Sequence, residues 1–115
     1  MGEREERIDV LAFEPGKAPS RWSILNELAS FQGAVGGYIE TLTLEEGVVL
    51  ICNEEGRLKG LPFNRTVRGV PIVGRFLICG ANEEGEFTSL PEETLKRYYA
   101  ELREHRRNQS WPKRC

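Results

Sequence analysis

Apolar and polar positions alternate along some stretches of this chain and recur at helical spacing along others, and the two periods divide it into elements. IDVLAF (8–13) begins as an alternation and reads as a strand. Glu14-Pro15-Gly16 ends it, and the chain to Pro19 is loop. From Ser20, a good N-cap, Trp22, Leu25, Leu28, Ala29 and Gln32 follow helical spacing. That predicts a helix to about Val35, with Gly36-Gly37 as its stop. Tyr38 to Leu44, YIETLTL, alternates again as a strand with one buried face. Glu45-Glu46-Gly47 turns into VVLICN (48–53), almost wholly apolar and so expected near the centre of a sheet.

Asn53-Glu54-Glu55-Gly56 has the chemistry of a type I turn, with Arg57 to Leu61 as the returning strand. A Gly/Pro-punctuated stretch leads to Pro71, and IVGRFLICG (72–80) is a further strand. Asn82-Glu83-Glu84-Gly85 repeats the turn. The echo between LICNEEG (50–56) and LICGANEEG (77–85) reads as two hairpins sharing one turn solution, since nothing else matches across the halves. Ser89-Leu90-Pro91-Glu92 fits a capping box, and Leu95, Tyr98, Tyr99 and Leu102 form an apolar stripe. A helix from about 90 to 107 follows, with 108–115 as a frayed tail.

The order is β-α-β-β-β-β-α. Short turns between strands imply a mostly antiparallel sheet of about five strands, with both helices expected on one face. The fold class is α+β, a single-domain two-layer sandwich over 8–107 with a charged extension at 1–7.

Composition narrows the function classes. A chain of 115 residues is one domain, and a net charge of −2 gives no overall field toward nucleic acid or anionic lipid. Lys96, Arg97, Arg103, Arg106, Arg107, Lys113 and Arg114 still outnumber Glu101 and Glu104 at the C-terminal end. Apolar runs fall short of the roughly 20 residues of a membrane span. MGEREERIDV has no apolar core for a secretory signal, and Glu6 stands where a myristoylation motif needs Ser or Thr. A cytoplasmic protein is expected.

Cys52 and Cys79 end apolar runs and read as small buried hydrophobes, while Cys115 reads as a terminal, exposed thiol. His105, the one histidine, has no metal-spaced partner, so neither metal nor cofactor is expected. There is no phosphate loop and no Cys-His neighbourhood. GAVGG follows a helix, the wrong order for a dinucleotide site. The chain is expected not to be an enzyme.

FQGAVGGYIETL, LICNEEGRLKGLPFNR, VGRFLICG and EFTSLPEETLKRY together resemble the small domain-of-unknown-function family three-eight-four-six. Its members are short proteins of Gram-positive bacteria, their phages and conjugative elements. The resemblance covers roughly 8 to 102, and its longest words fall on Gln32, Val35 to Glu40 and Asn53 to Arg65. Gly33 departs from the pattern, inside the first helix where a helix former is usual. The resemblance implies a mobile-element accessory protein and brings no activity.

One stretch stands out as a candidate site. Lys59, Asn64 and Arg65 crowd a loop stiffened by Pro62, and an amide beside a guanidinium suits a phosphate, a carboxylate or a base edge. Asn53 lies at the preceding turn, Tyr38 and Glu40 lie in the neighbouring strand, and Tyr38 or Phe63 could stack on a base. The structural alternative pairs Arg65 with Glu40 or Glu54 and has Asn64 cap the turn. Three functions are weighed. The first is a small non-enzymatic binding protein of a phage or mobile element, docking on a protein partner and inhibiting host defence. The second is a sponge for a small nucleotide-like ligand at the Lys59/Asn64/Arg65 loop. The third is a weak nucleic-acid binder using the basic C-terminal helix, where Tyr98 and Tyr99 interleave with Arg97 and Lys96. An open strand edge could also form a homodimer.

Overall fold

The computed structural model describes residues 6–104. The elements, in chain order, are β1 (Arg7–Phe13), β2 (Ser20–Leu25), α1 (Leu28–Val35), β3 (Ile39–Glu45), β4 (Val48–Asn53), β5 (Phe63–Val67), β6 (Val70–Val73), β7 (Phe76–Ala81), β8 (Phe87–Thr88) and α2 (Glu92–Leu102). The main sheet runs β2-β1-β7-β4-β3, with the short β8 on β7, and every pairing is antiparallel. β5 and β6 form a separate hairpin. The class is α+β, a sandwich of two helices and a mostly antiparallel sheet.

Alternation in the central strands divides the core between the sheet's two faces. Ile8, Val10 and Ala12 of β1, Val49 and Ile51 of β4, and Leu77 and Cys79 of β7 pack with Phe31 and Val35 of α1. Leu11, Phe13, Leu50, Phe76 and Ile78 project the other way, onto Leu95, Tyr98 and Leu102 of α2 and onto Val67 and Ile72 of the hairpin. The two helices therefore take opposite faces, not one. β4 and β7 are apolar on both sides because both sides are covered, as VVLICN had suggested.

Ser20 does not start a helix. SRWSIL also alternates with period two, and it pairs with β1 in the register Ile8↔Ile24 and Val10↔Trp22. Trp22 and Ile24 thereby reach the α1-side core, and only Leu28–Val35 coils. The helix stops where expected, with Gly36 left-handed at φ 84°.

Arg57 to Leu61 is not a returning strand. The N–H groups of Lys59, Gly60 and Leu61 donate to the carbonyls of Glu55, Arg57 and Gly56, winding the segment into successive turns. The Gly/Pro-rich stretch holds the β5–β6 hairpin instead, closed by Arg68 (φ 51°) and Gly69 (φ 79°). Two left-handed central residues match the right-handed twist of the flanking strands. Such a conformation is unfavourable for arginine, and Arg68 is held there by an ion pair to Glu101 and a 2.9 Å hydrogen bond to the Tyr98 hydroxyl. Nor is IVGRFLICG one strand: it breaks at Gly74, whose N–H donates to Pro62 O, so β6 and β7 join different sheets.

Ser89 is not the N-cap of α2. Pro91 occupies the N-cap without a side-chain cap bond, and Ser89 Oγ accepts the Asp9 N–H at 2.9 Å. α2 ends at Leu102 and not near 107; residues 105–107, with the 108–115 tail and the 1–5 part of the N-terminal extension, lie outside the described residues.

A register shift in β3 between Thr43 and Glu45 brings Glu45 under α2. Arg97 donates to both carboxylate oxygens at 3.1 and 2.8 Å, and the Tyr98 hydroxyl donates at 3.0 Å. Those bonds, Arg97 first, hold the Glu45 carboxyl below its ordinary value of 4.5. A carboxyl depressed in the folded state stabilises the fold above its unfolded value and ceases to do so as pH falls through its folded value. Wild type is therefore expected to lose urea resistance between pH 7 and pH 3, as about 4.5 is crossed and passed. Glu45→Gln should be weaker than wild type at pH 7, and the gap should narrow as pH falls below about 4.5. An unchanged gap across that range would show that the carboxylate charge contributes nothing.

Candidate functional site

Asn64 and Arg65 are buried, 5% and 2% exposed. Asn64 Nδ2 donates to Phe13 O at 2.9 Å and to Gly74 O at 2.7 Å, tying the end of β1 to the β6–β7 break. Arg65 Nε donates to Leu102 O at 2.6 Å, Nη2 to Lys17 O at 2.6 Å, and Nη1 to Asn64 Oδ1 at 2.7 Å. Its guanidinium also lies 5.2 Å from the centre of the Phe13 ring. Burial pushes the Arg65 pKa below its usual value, yet an arginine remains charged at any ordinary pH. These contacts join three elements from inside. The pair is buried between elements and not presented on an open loop, and the partners of Arg65 include the backbone carbonyls of Lys17 and Leu102, not Glu40 or Glu54.

Asn53 is a joint as well. Its Nδ2 donates to Val35 O at 3.0 Å, capping α1, and its Oδ1 accepts the Glu55 N–H at 2.7 Å, shaping the turn. A Cβ on Gly37 would lie 3.0 Å from both Asn53 Nδ2 and Lys59 Nζ, so those side chains would have to give way. Lys59 is exposed and pairs with Glu55 at 3.8 Å. Tyr38 is 66% exposed just before β3, and Phe63 is half-buried at the start of β5.

Glu40 and Asn53 are the two sequence-nominated residues that meet at a cleft. It holds about 330 Å³ between Glu40 and Leu42 of β3, Cys52 of β4, the 54–58 turn and Val70–Val73 of β6. The register Glu40↔Cys52 and Leu42↔Leu50 puts the Glu40 and Leu42 side chains on the α2 side of the sheet, at its margin. Leu42, Leu58, Val70 and Ile72 make the lining largely apolar, while Glu40, Glu54 and Glu55 make it acidic, with Arg57 as the one cation. Arg57 Nη2 is directed at Pro71 O, 3.4 Å away. Leu58, 88% exposed, is the residue that sequence reasoning passed over, and its signal was a lone leucine within the polar turn EEGRLKG.

Burial first, and the Glu40 charge second, push the Cys52 thiol up to about 11, so it is protonated and weakly nucleophilic at neutral pH. Burial pushes Cys79, on the opposite face, up to about 12. Among the described residues no three His, Cys, Asp or Glu side chains are grouped to hold a metal ion. No described helix is long and apolar enough to cross a membrane. His105 and Cys115 lie outside the described residues, as do Arg106, Arg107, Lys113 and Arg114.

No curated protein and no solved structure matches this chain. The family model described as Domain of unknown function (DUF3846) matches residues 8–103, which include all the described strands and helices but for Arg7 at the start of β1, and the cleft, and the chain belongs to that family.

Proposed function

We propose that this protein is a small non-enzymatic binding protein that docks on a protein partner through the cleft between β3, the 54–58 turn and β6. The observation that carries the reading is Leu58, 88% exposed at the mouth of an apolar cleft with Val70 beside it, 38% exposed. Covering a leucine of this kind contributes about 1.5–3 kcal/mol. The turn that presents it is already fixed by backbone hydrogen bonds, so little order remains to be imposed on docking. A protonated Cys52 favours a binder over a thiol enzyme. In the setting that the family resemblance suggests, a phage or mobile element, the partner would be a host or element-encoded protein, and one of host defence is a natural candidate.

The nucleotide reading finds less support. Asn64 and Arg65 spend their donors on backbone and on each other, and the cleft carries carboxylates where a phosphate needs cations. The nucleic-acid reading is weakened too, since Arg97 is engaged by Glu45 and Tyr98 is buried.

Affinity capture with wild type and with Leu58→Asp, followed by reconstitution from purified components, tests the docking reading. A partner retained by wild type and lost from an equally stable Leu58→Asp protein is expected. Equal binding of the purified partner to both would place docking elsewhere. A nucleotide released on denaturing wild type would favour the sponge.

A further inference from the structure

Resting on that reading, we propose that the partner enters as an extended basic segment that adds to the open edge of β3 as an extra strand. The sheet path ends at β3, and among the described residues nothing pairs with its outer side. An outer strand leaves alternate N–H and C=O groups without sheet partners, which is a template for one more strand. The shift between Thr43 and Glu45 interrupts that template, and Arg97 and Tyr98 occupy Glu45. The usable edge is therefore residues 39–43.

That same stretch borders the cleft. Glu40 and Leu42 are two residues apart, so both project to the cleft side. A strand laid beside them turns every second side chain toward the cleft mouth. An apolar side chain there meets Leu42 and Leu58, and a lysine or arginine meets Glu40 or Glu54. The charge also selects against a second copy of this chain as the added strand. Two β3 edges in contact would bring two copies of Glu40 to one seam, and like charges there are unfavourable.

The test uses the full chain and short capped peptides of alternating lysine and valine, with affinity read by fluorescence polarisation and contacts by amide chemical shifts. Saturable binding is expected, with the shifts concentrated at residues 39–43. N-methylation of every second peptide residue, in whichever of the two registers faces β3, should weaken binding roughly tenfold or more. Glu40→Lys combined with Glu54→Lys should do the same. Equal affinity for both N-methylated peptides would overturn strand addition while leaving the cleft as a docking site. Equal or tighter binding of a glutamate-valine peptide would overturn the basic partner. Absence of peptide binding, or a dimer in sedimentation that Glu40→Lys strengthens, would overturn the proposal and point to another occupant. Loss of partner capture by Leu58→Asp is scored separately, so the docking reading stands or falls by itself.

Discussion

Replacing Arg65 by alanine is expected to lower the melting temperature by roughly 12–20 °C, the largest effect of any single substitution considered. The side chain is 2% exposed, and its three bonds end on Leu102 O, Lys17 O and Asn64 Oδ1. Truncation removes the donors and leaves the Leu102 and Asn64 acceptors buried, which costs more than those bonds contribute when made. It also opens a hole beside Phe13, which stacks on Phe76 at 4.5 Å in the middle of the core. Together these amount to about 4 kcal/mol, a large part of the 5–15 kcal/mol typical of a domain. Arg65→Lys should recover little, because an ammonium cannot span acceptors arranged for a planar fork. Thermal unfolding followed by circular dichroism decides it. A fall of less than about 5 °C for Arg65→Ala would mean that water satisfies the carbonyls as well as the guanidinium does.

Gly80→Ala is expected to follow, at about 2–3 kcal/mol, in the range of overpacked cores. Gly80 sits in β7, where the chain leaving β8 passes over it. A Cβ there would lie 2.8 Å from Ser89 O and 2.5 Å from Thr88 Oγ1. The hydroxyl can rotate away, but the carbonyl belongs to backbone that is itself fixed. Leu90 N–H donates to Asp9 O at 2.9 Å, and Ser89 Oγ accepts the Asp9 N–H. The strain therefore reaches the start of α2 and the middle of β1. Urea unfolding of Gly80→Ala beside Gly33→Ala, whose added Cβ meets nothing within 4 Å, separates crowding from any general effect of losing a glycine. Gly33→Ala should be neutral or stabilising, since alanine is the better helix former. Matching losses in both variants would remove the steric explanation.

Much of the fold was legible where burial is one-sided or complete. IDVLAF, YIETLTL and VVLICN gave strands within a residue or two of β1, β3 and β4, because alternation or uniform apolarity leaves little choice. SRWSIL misled because Trp22, Leu25 and Leu28 satisfy the helical period while Trp22 and Ile24 satisfy the strand period, and a free β1 edge decided between them. FNRTV hid because two of its buried positions are Asn64 and Arg65, polar residues that no hydrophobic pattern counts as core. The burial of Asn64 and Arg65 was hidden for the same reason. GLPFNR and VGGY are long, unusual words, and such words suggest function. Here Asn64, Arg65 and Asn53 are joints between elements, whose several geometric demands restrict sequence as tightly as catalysis would. The cleft draws on scattered residues, Glu40, Leu42, Leu58 and Val70, that no local word contains.

The strand order β2-β1-β7-β4-β3 divides the sheet into two hairpins that share no hydrogen bond with each other, β1–β2 and β3–β4, joined by β7. On the ribosome both hairpins are complete by residue 53, while β7 begins at Phe76. Through that interval β1 and β4, destined for the interior, each keep an unsatisfied edge and uncovered apolar faces. Translation speed across the intervening codons therefore sets how long a nascent chain is open to chaperones or to strand pairing with its neighbours.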